Sequence, residues 1–152
     1  MKRLLLYMCA LALLLLADRG TDIGSLRPVE LVRLREWNGL LILETDTGDC
    51  GWGMTIAQTV AKLKETTPGQ IYLDTADFLL LEEGTERYLP LIAEYLKRNT
   101  RVVYGARDVG LQDAAAYLRV HKPTSRIKEW GNPAEKLILE GGKMSLKKIK
   151  ET

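Results

Sequence analysis

The stretch from Leu41 to Leu63, LILETDTGDCGWGMTIAQTVAKL, decides how the chain folds, because its hydrophobic spacing changes halfway along. Leu41, Ile42 and Leu43 form a short apolar run that ends in polar residues, whereas Ile56, Val60 and Leu63 recur at the spacing of one helical face. The stretch reads as a strand that turns through glycines into a helix. Thr55 followed by Gln58 is a capping box, in which the threonine oxygen accepts an amide of the first turn and the glutamine reaches back. Pro68-Gly69 then stops the helix.

Outward from this stretch the punctuation is regular. Upstream, Val29 to Arg35 alternates and Leu40 to Glu44 is apolar, with Trp37-Asn38-Gly39 between them; Asn-Gly joining two such runs predicts a hairpin. Downstream, QIYLDTADFLLL predicts a strand. GTERYLPLIAEYLKRN predicts a helix with Tyr88, Leu91, Ile92, Tyr95 and Leu96 on one face and Pro90 near its start. TRVVYGARDV predicts a short strand, and GLQDAAAYLRVHKP a helix ended by Pro123. The order ββαβαβα implies an α/β (α+β) fold, with a mixed sheet fronted by a hairpin and helices packed on it. Residues 18–123 form this single domain. Residues 124–152 are a basic extension, in which EKLILEGGKMSLKKI is either a further hairpin around Gly141-Gly142 or a loose tail.

The N-terminus has a different character. Met1-Lys2-Arg3 is followed by LLLYMCALALLLLA, Leu4 to Ala17, fourteen residues without a charge, and then by Asp18-Arg19. As a helix this run spans about 21 Å, short of the ~30 Å hydrocarbon core, which favours an export signal over a permanent span. Cleavage after Ala17 puts Leu15 at a position that prefers a small residue, so residues 1–17 are either a cleaved signal or an uncleaved anchor. Either way the chain is expected to be exported or membrane-associated.

Without Lys2 and Arg3 the chain is neutral overall, which argues against nucleic acid as a partner. Its charge is uneven, however: residues 119 to 152 hold nine Lys/Arg against four Glu. Lys143, Lys147, Lys148 and Lys150 either face an anionic membrane surface or form a solvated tail. Cys9 lies in the apolar run, so Cys50 stands alone and no disulfide framework is expected. With one histidine and one relevant cysteine there is no metal-ligand spacing, and no cofactor is expected.

Two enzyme chemistries are suggested by the glycine-rich segment. Asp46-Thr47-Gly48 has the form of an aspartic protease triplet, with Asp74-Thr75-Ala76 as its companion, but a helix fills the short gap between them and leaves no room for a β-lobe around each. A phosphate cradle asks for G-x-x-x-x-G-K-[ST] or G-x-G-x-x-G, and Gly48, Gly51 and Gly53 fit neither, with no lysine after the last. The glycines therefore read as a route from strand to helix. His121 sits at a helix end, where a donor serves the last carbonyls. Ser25, Ser125 and Ser145 lie in no nucleophile-elbow pattern, so no catalytic residue is assigned. Trp52, with Cys50 beside it, is either the candidate contact for a protein partner, since tryptophan anchors interfaces, or a residue packed on the sheet edge.

Several segments occur in a familiar order: Asp18-Arg19 directly after the apolar run, VELVRL, GWGMTIAQTVAKL, GQIYLDTADFLLL running into EEG, YLPLIAEYLKRN, RVVYGAR and DAAAYL. In this the chain resembles the N-terminal domain of the C subunit of bacterial spore germinant receptors, the Ger(x)C lipoproteins, over roughly residues 18 to 120. The resemblance implies a non-enzymatic protein on the outer face of the spore membrane that works with polytopic partner subunits in the response to nutrients. It carries over no catalytic residue. Ala17 stands where that family has its lipid-modified cysteine, so the resemblance places anchoring, if any, in the apolar segment. Two other readings stand beside it: an envelope interaction domain unrelated to germination, and a phosphate- or nucleotide-binding enzyme that uses the glycine-rich segment.

Overall fold

The computed structural model describes residues 26–129 and 131–149; the apolar N-terminal segment, Ser25 and Lys150 lie outside the described residues. Among the described residues nine strands run in chain order: β1 Leu26–Pro28, β2 Leu31–Trp37, β3 Leu40–Thr45, β4 Cys50–Gly53, β5 Gln70–Tyr72, β6 Phe78–Leu81, β7 Arg101–Gly105, β8 Glu135–Glu140 and β9 Lys143–Lys148. Three α-helices lie between them: α1 Ile56–Thr66, α2 Leu89–Ile92 and α3 Leu111–Val120. Seven strands form one mixed sheet in the order β4-β3-β2-β6-β7-β8-β9, and β1 pairs with β5 as a small parallel ribbon. The central strands β2, β6, β7 and β8 are parallel, flanked by antiparallel strands on both sides. This is the α+β class that the alternation of periods implied.

The sheet is covered on both faces, and its strands show it. Leu79, Leu81, Val102 and Tyr104 face α1 and α2, together with Val32, Leu34, Leu41 and Leu43. Leu31, Phe78, Leu80 and Val103 face α3 through Ala114, Ala115 and Leu118. β6 is buried at all four positions, as expected of a parallel strand between two layers. The exposed strand β9 carries Lys143, Lys147 and Lys148, charges that blunt an edge against further pairing.

Local signals explain the elements that the sequence predicted. Asn38 and Gly39 both take positive φ, 50° and 79°, as a two-residue hairpin turn requires, and set Trp37 opposite Leu40. At the start of α1 the Thr55 hydroxyl accepts from the Gln58 amide at 3.2 Å. The Gln58 side chain in turn accepts from the Met54 amide at 3.1 Å, which closes the capping box one residue before the cap itself. Gly141 and Gly142, φ 58° and 78°, join β8 to β9, so the hairpin alternative is the one seen, and both strands belong to the main sheet.

Three expectations are corrected. The glycine-rich turn holds a strand, β4, paired antiparallel with β3 through Ile42↔Trp52 and Glu44↔Cys50. QIYLDTADFLLL breaks into β5, a turn of 3₁₀ helix at Leu73–Thr75, and β6. The break is stitched by the Thr75 hydroxyl, which accepts from the Val29 amide at 3.0 Å, and by the Asp77 and Phe78 amides, which both donate to the Glu30 carbonyl. The long helix over GTERYLPLIAEYLKRN is reduced to a 3₁₀ turn and the four-residue α2. The buried side of this segment is Leu89, Ile92 and Leu96, whereas Leu91 lies off that face and is exposed.

Candidate interaction surface

β2, β3 and β4 present two sides. Residues directly opposite one another in an antiparallel pair share a face, so Leu41 goes with Gly53, and Leu43 with Gly51, on the side of α1. The other side carries the rows Arg33–Glu44–Cys50, Arg35–Ile42–Trp52 and Trp37–Leu40. There α3 reaches β2, and the exposure of Trp37 (56%), Leu40 (39%), Trp52 (47%) and Met54 (74%) shows that the outer part is open. Four apolar side chains thus gather at one corner, from the β2–β3 turn and the end of β4. The sequence reading named Trp52; Trp37 and Leu40 join it through the register that the Asn-Gly turn sets.

β4 is shaped by α1. A methyl group added to Gly51 would lie 2.4 Å from the Thr59 carbonyl oxygen and 2.5 Å from the Leu63 nitrogen, and one added to Gly53 would lie 2.9 Å from the Thr59 nitrogen. These glycines let the helix backbone lie directly on the strand, and that contact explains them without a phosphate. The outer edge of β4 is partly closed as well: the Thr66 hydroxyl donates to the Cys50 carbonyl at 2.9 Å. Lys62 of α1 sets its ammonium 5.4 Å from the centre of the Trp52 ring, a cation–π contact that orients the indole.

Behind the apolar corner lies a charged row. Glu44 accepts from Arg33 Nε at 2.7 Å and from Arg35 Nη2 at 3.1 Å, while Arg33 Nη1 also donates to the Val109 carbonyl at 3.0 Å. Burial on its own would raise the Glu44 carboxyl, but the hydrogen bonds and charges of the two arginines outweigh it and hold it below the ordinary glutamate value. Burial, and then the charge of Glu44, push the neighbouring Cys50 thiol up. Cys50 is half-buried and free, and a raised thiol is a poor nucleophile at neutral pH.

The remaining singled-out residues are dispersed. The Asp46 carboxylate accepts from the Glu30 and Leu31 amides, both at 3.1 Å, and so fixes the entry to β2. Asp74 is exposed and lines a cavity of about 390 Å³ with Lys64, Tyr72 and Tyr95. His121 caps α3, its amide donating to the Tyr117 carbonyl and its ring stacked on Tyr117 at 4.4 Å. The Ser125 hydroxyl accepts from the Ala134 amide, and Ser145 lies in β9. Among the described residues no group of three or more His, Cys, Asp or Glu is arranged to hold a metal ion. No helix among them is long and apolar enough to cross a membrane. No protein-family model matches the chain, and no curated protein or solved structure matches it either.

Proposed function

We propose that the chain is a non-catalytic module of the cell envelope that acts through a protein partner, in the manner implied by its resemblance to the germinant-receptor C-subunit domain. The observation that carries this reading is the corner of Trp37, Leu40, Trp52 and Met54. Exposed apolar groups gathered in one place, with cations at their rim, are what an interface anchor looks like on a free protein. The N-terminal apolar run supplies the envelope setting, and the order of segments quoted above supplies the link to germination.

The test is site-specific photo-crosslinking in sporulating cells of the native host, with a benzophenone residue replacing Trp52 in the full chain. A cross-linked polytopic membrane protein, identified by mass spectrometry and lost in W37A/M54A, supports the reading. Labelling that is unaffected by that pair removes the corner as the contact. Deleting the gene separates the two settings: unchanged nutrient germination leaves an envelope module and discards the germination role.

A further inference from the structure

We infer that the end of the sheet at which β2, β6 and β7 begin is a surface that lies against an anionic lipid bilayer. The inference rests on the proposed tethering of the chain through its N-terminus. At this end Glu30 precedes β2, Asp77 precedes β6, Thr100 precedes β7, and Arg126 bridges to Arg101. A cleft of about 150 Å³ is lined by Arg101, Arg119 and Lys122 with Glu30, Asp77 and Asn99. A second, of about 380 Å³, is lined by Arg98 and Lys128 with Glu94, Ala93 and Ile127.

The cations here outnumber the acids even with Glu94 and Asp46 counted, the latter accepting from the Glu30 amide at 3.1 Å and adding its charge to those that act on Arg119. Glu30 is taken by Arg119, whose Nε donates at 2.8 Å, and Asp77 by Lys97 at 2.5 Å. Glu129 accepts from the Arg126 amide at 3.3 Å. Arg98, Arg101, Lys122, Arg126 and Lys128 form no ion pair with any described carboxylate. Each cation held close to an anionic bilayer surface contributes about 1 kcal/mol of attraction.

The place where the chain enters selects this end. β1 runs directly into Glu30, which lines the first cleft, so Leu26, four residues before Glu30, belongs to the same end. Residues 18–25 reach at most about 29 Å when fully extended, which keeps this end close to whatever the Leu4–Ala17 run enters. The corner of Trp37 lies a further ~20 Å away along the seven residues of β2. With a screening length of about 8 Å at physiological salt, the cations that matter are those held nearest. Two of the three lysines of β9 are placed differently: Lys143 follows the turn at the opposite end, and Lys147 is paired with Glu140 at 2.8 Å.

The experiment reconstitutes the full chain into vesicles of pure phosphatidylcholine or of phosphatidylcholine with about a third phosphatidylglycerol. The rate of acetylation of each lysine is then read by peptide mass spectrometry. Lys122 and Lys128 should react at least about threefold more slowly on the anionic vesicles, and high salt should remove the difference, while Lys62 and Lys143 are unaffected. R98Q/R126Q keeps both reporter lysines. Since each cation near an anionic bilayer is worth roughly a factor of five, this variant should lower the lipid-facing population about 25-fold and abolish the protection. Equal rates on the two vesicles, undiminished protection in R98Q/R126Q, or equal slowing of Lys143 would each overturn the inference. If the chain floats with neither vesicle after an alkaline wash, the tethering fails and the inference with it. If it floats with both and Lys122 and Lys128 react equally, only the lipid-facing surface is lost.

Discussion

Glu44 shows how one side chain ties the open face of the sheet together. It lies in the middle strand of three, held by Arg33 and Arg35 from one neighbour and directly opposite Cys50 in the other. Because its folded carboxyl is held below the ordinary value of 4.5, it stabilises the fold fully above that value, and the contribution is lost as pH falls through the lower folded value. The side chain is 18% exposed, so the ion pairs sit between surface pairs worth ~0–1 kcal/mol and buried pairs that cost 3–5 kcal/mol to break. Glu44→Gln should therefore cost about 1–2 kcal/mol at pH 7. Urea titrations at a series of pH values check both points: the parent should lose more stability than E44Q between pH 5 and pH 3, so that the two curves converge. Curves that stay parallel through that range would show that the carboxylate contributes nothing specific. The sequence could not show this triad, because Arg33 and Glu44 are brought together only by the hairpin register; yet once the Asn-Gly turn is read as a two-residue hairpin, the register follows and so does the pair.

At the scale of elements, the interpretable parts of the sequence are those whose cause is local. The capping box, the Asn38-Gly39 hairpin turn and the helical spacing of Ile56, Val60 and Leu63 each act within a few residues, and each forms the element expected. β4 was missed because its cause is not local: Gly51 and Gly53 are in the strand so that α1 can lie on it, a contact between elements. α2 was overextended for a related reason. Lys97 Nζ donates to the Thr75 carbonyl and Thr100 Oγ1 to the Ala76 carbonyl, which draws the chain down to the start of β6 and ends a helix whose periodicity continues on paper. The close approach of α1 and β4 gives a direct prediction. A Cβ at position 51 meets backbone atoms that no side-chain rotation can move, so Gly51→Ala should destabilise by about 3 kcal/mol, at the upper end of overpacking costs. Gly53→Ala should cost somewhat less, since its added methyl would meet Gln58 Cβ at 2.7 Å and the Thr59 nitrogen at 2.9 Å, less closely than at position 51. Gly131, with nothing nearer than 3.9 Å, serves as the control, and Gly131→Ala should stay within about 0.5 kcal/mol. Urea midpoints for the three variants decide it. A Gly51→Ala protein as stable as the parent would mean that helix and strand are not in this contact. The same geometry makes alanine at these positions unsuitable for testing a phosphate site, because loss of binding would follow from loss of fold.

For the whole molecule, the apolar corner and the basic end lie at opposite ends of the parallel strands. A chain held at a bilayer through its basic end presents Trp37 and Trp52 away from the lipid, within reach of a partner's extramembrane parts. Such an arrangement asks the sheet to behave as one rigid body, and the contribution of the last two strands is central to that. Leu137 of β8 is fully buried against α3, with Leu139, Met144 and Leu146 packed beside it, and Ile127 closes the opposite layer. Removing everything beyond Pro123 would take away these side chains and expose β7, whose Val102 and Val103 are apolar and almost wholly buried, as a bare edge. Burial of each large aliphatic residue contributes ~1.5–3 kcal/mol, so the loss of Ile127 and Leu137 alone approaches the ~5–15 kcal/mol total stability of an ordinary domain. An exposed apolar edge also invites association. A chain ending at Pro123 should therefore give no cooperative urea transition and should sediment as aggregates, whereas Leu137→Ala in the full chain should keep a single transition shifted by about 3 kcal/mol. If the shortened chain instead unfolds in one sharp transition at the midpoint of the full chain, β8 and β9 are an appendage to the sheet, and the two ends of the molecule are held in place by β2, β6 and β7 without them.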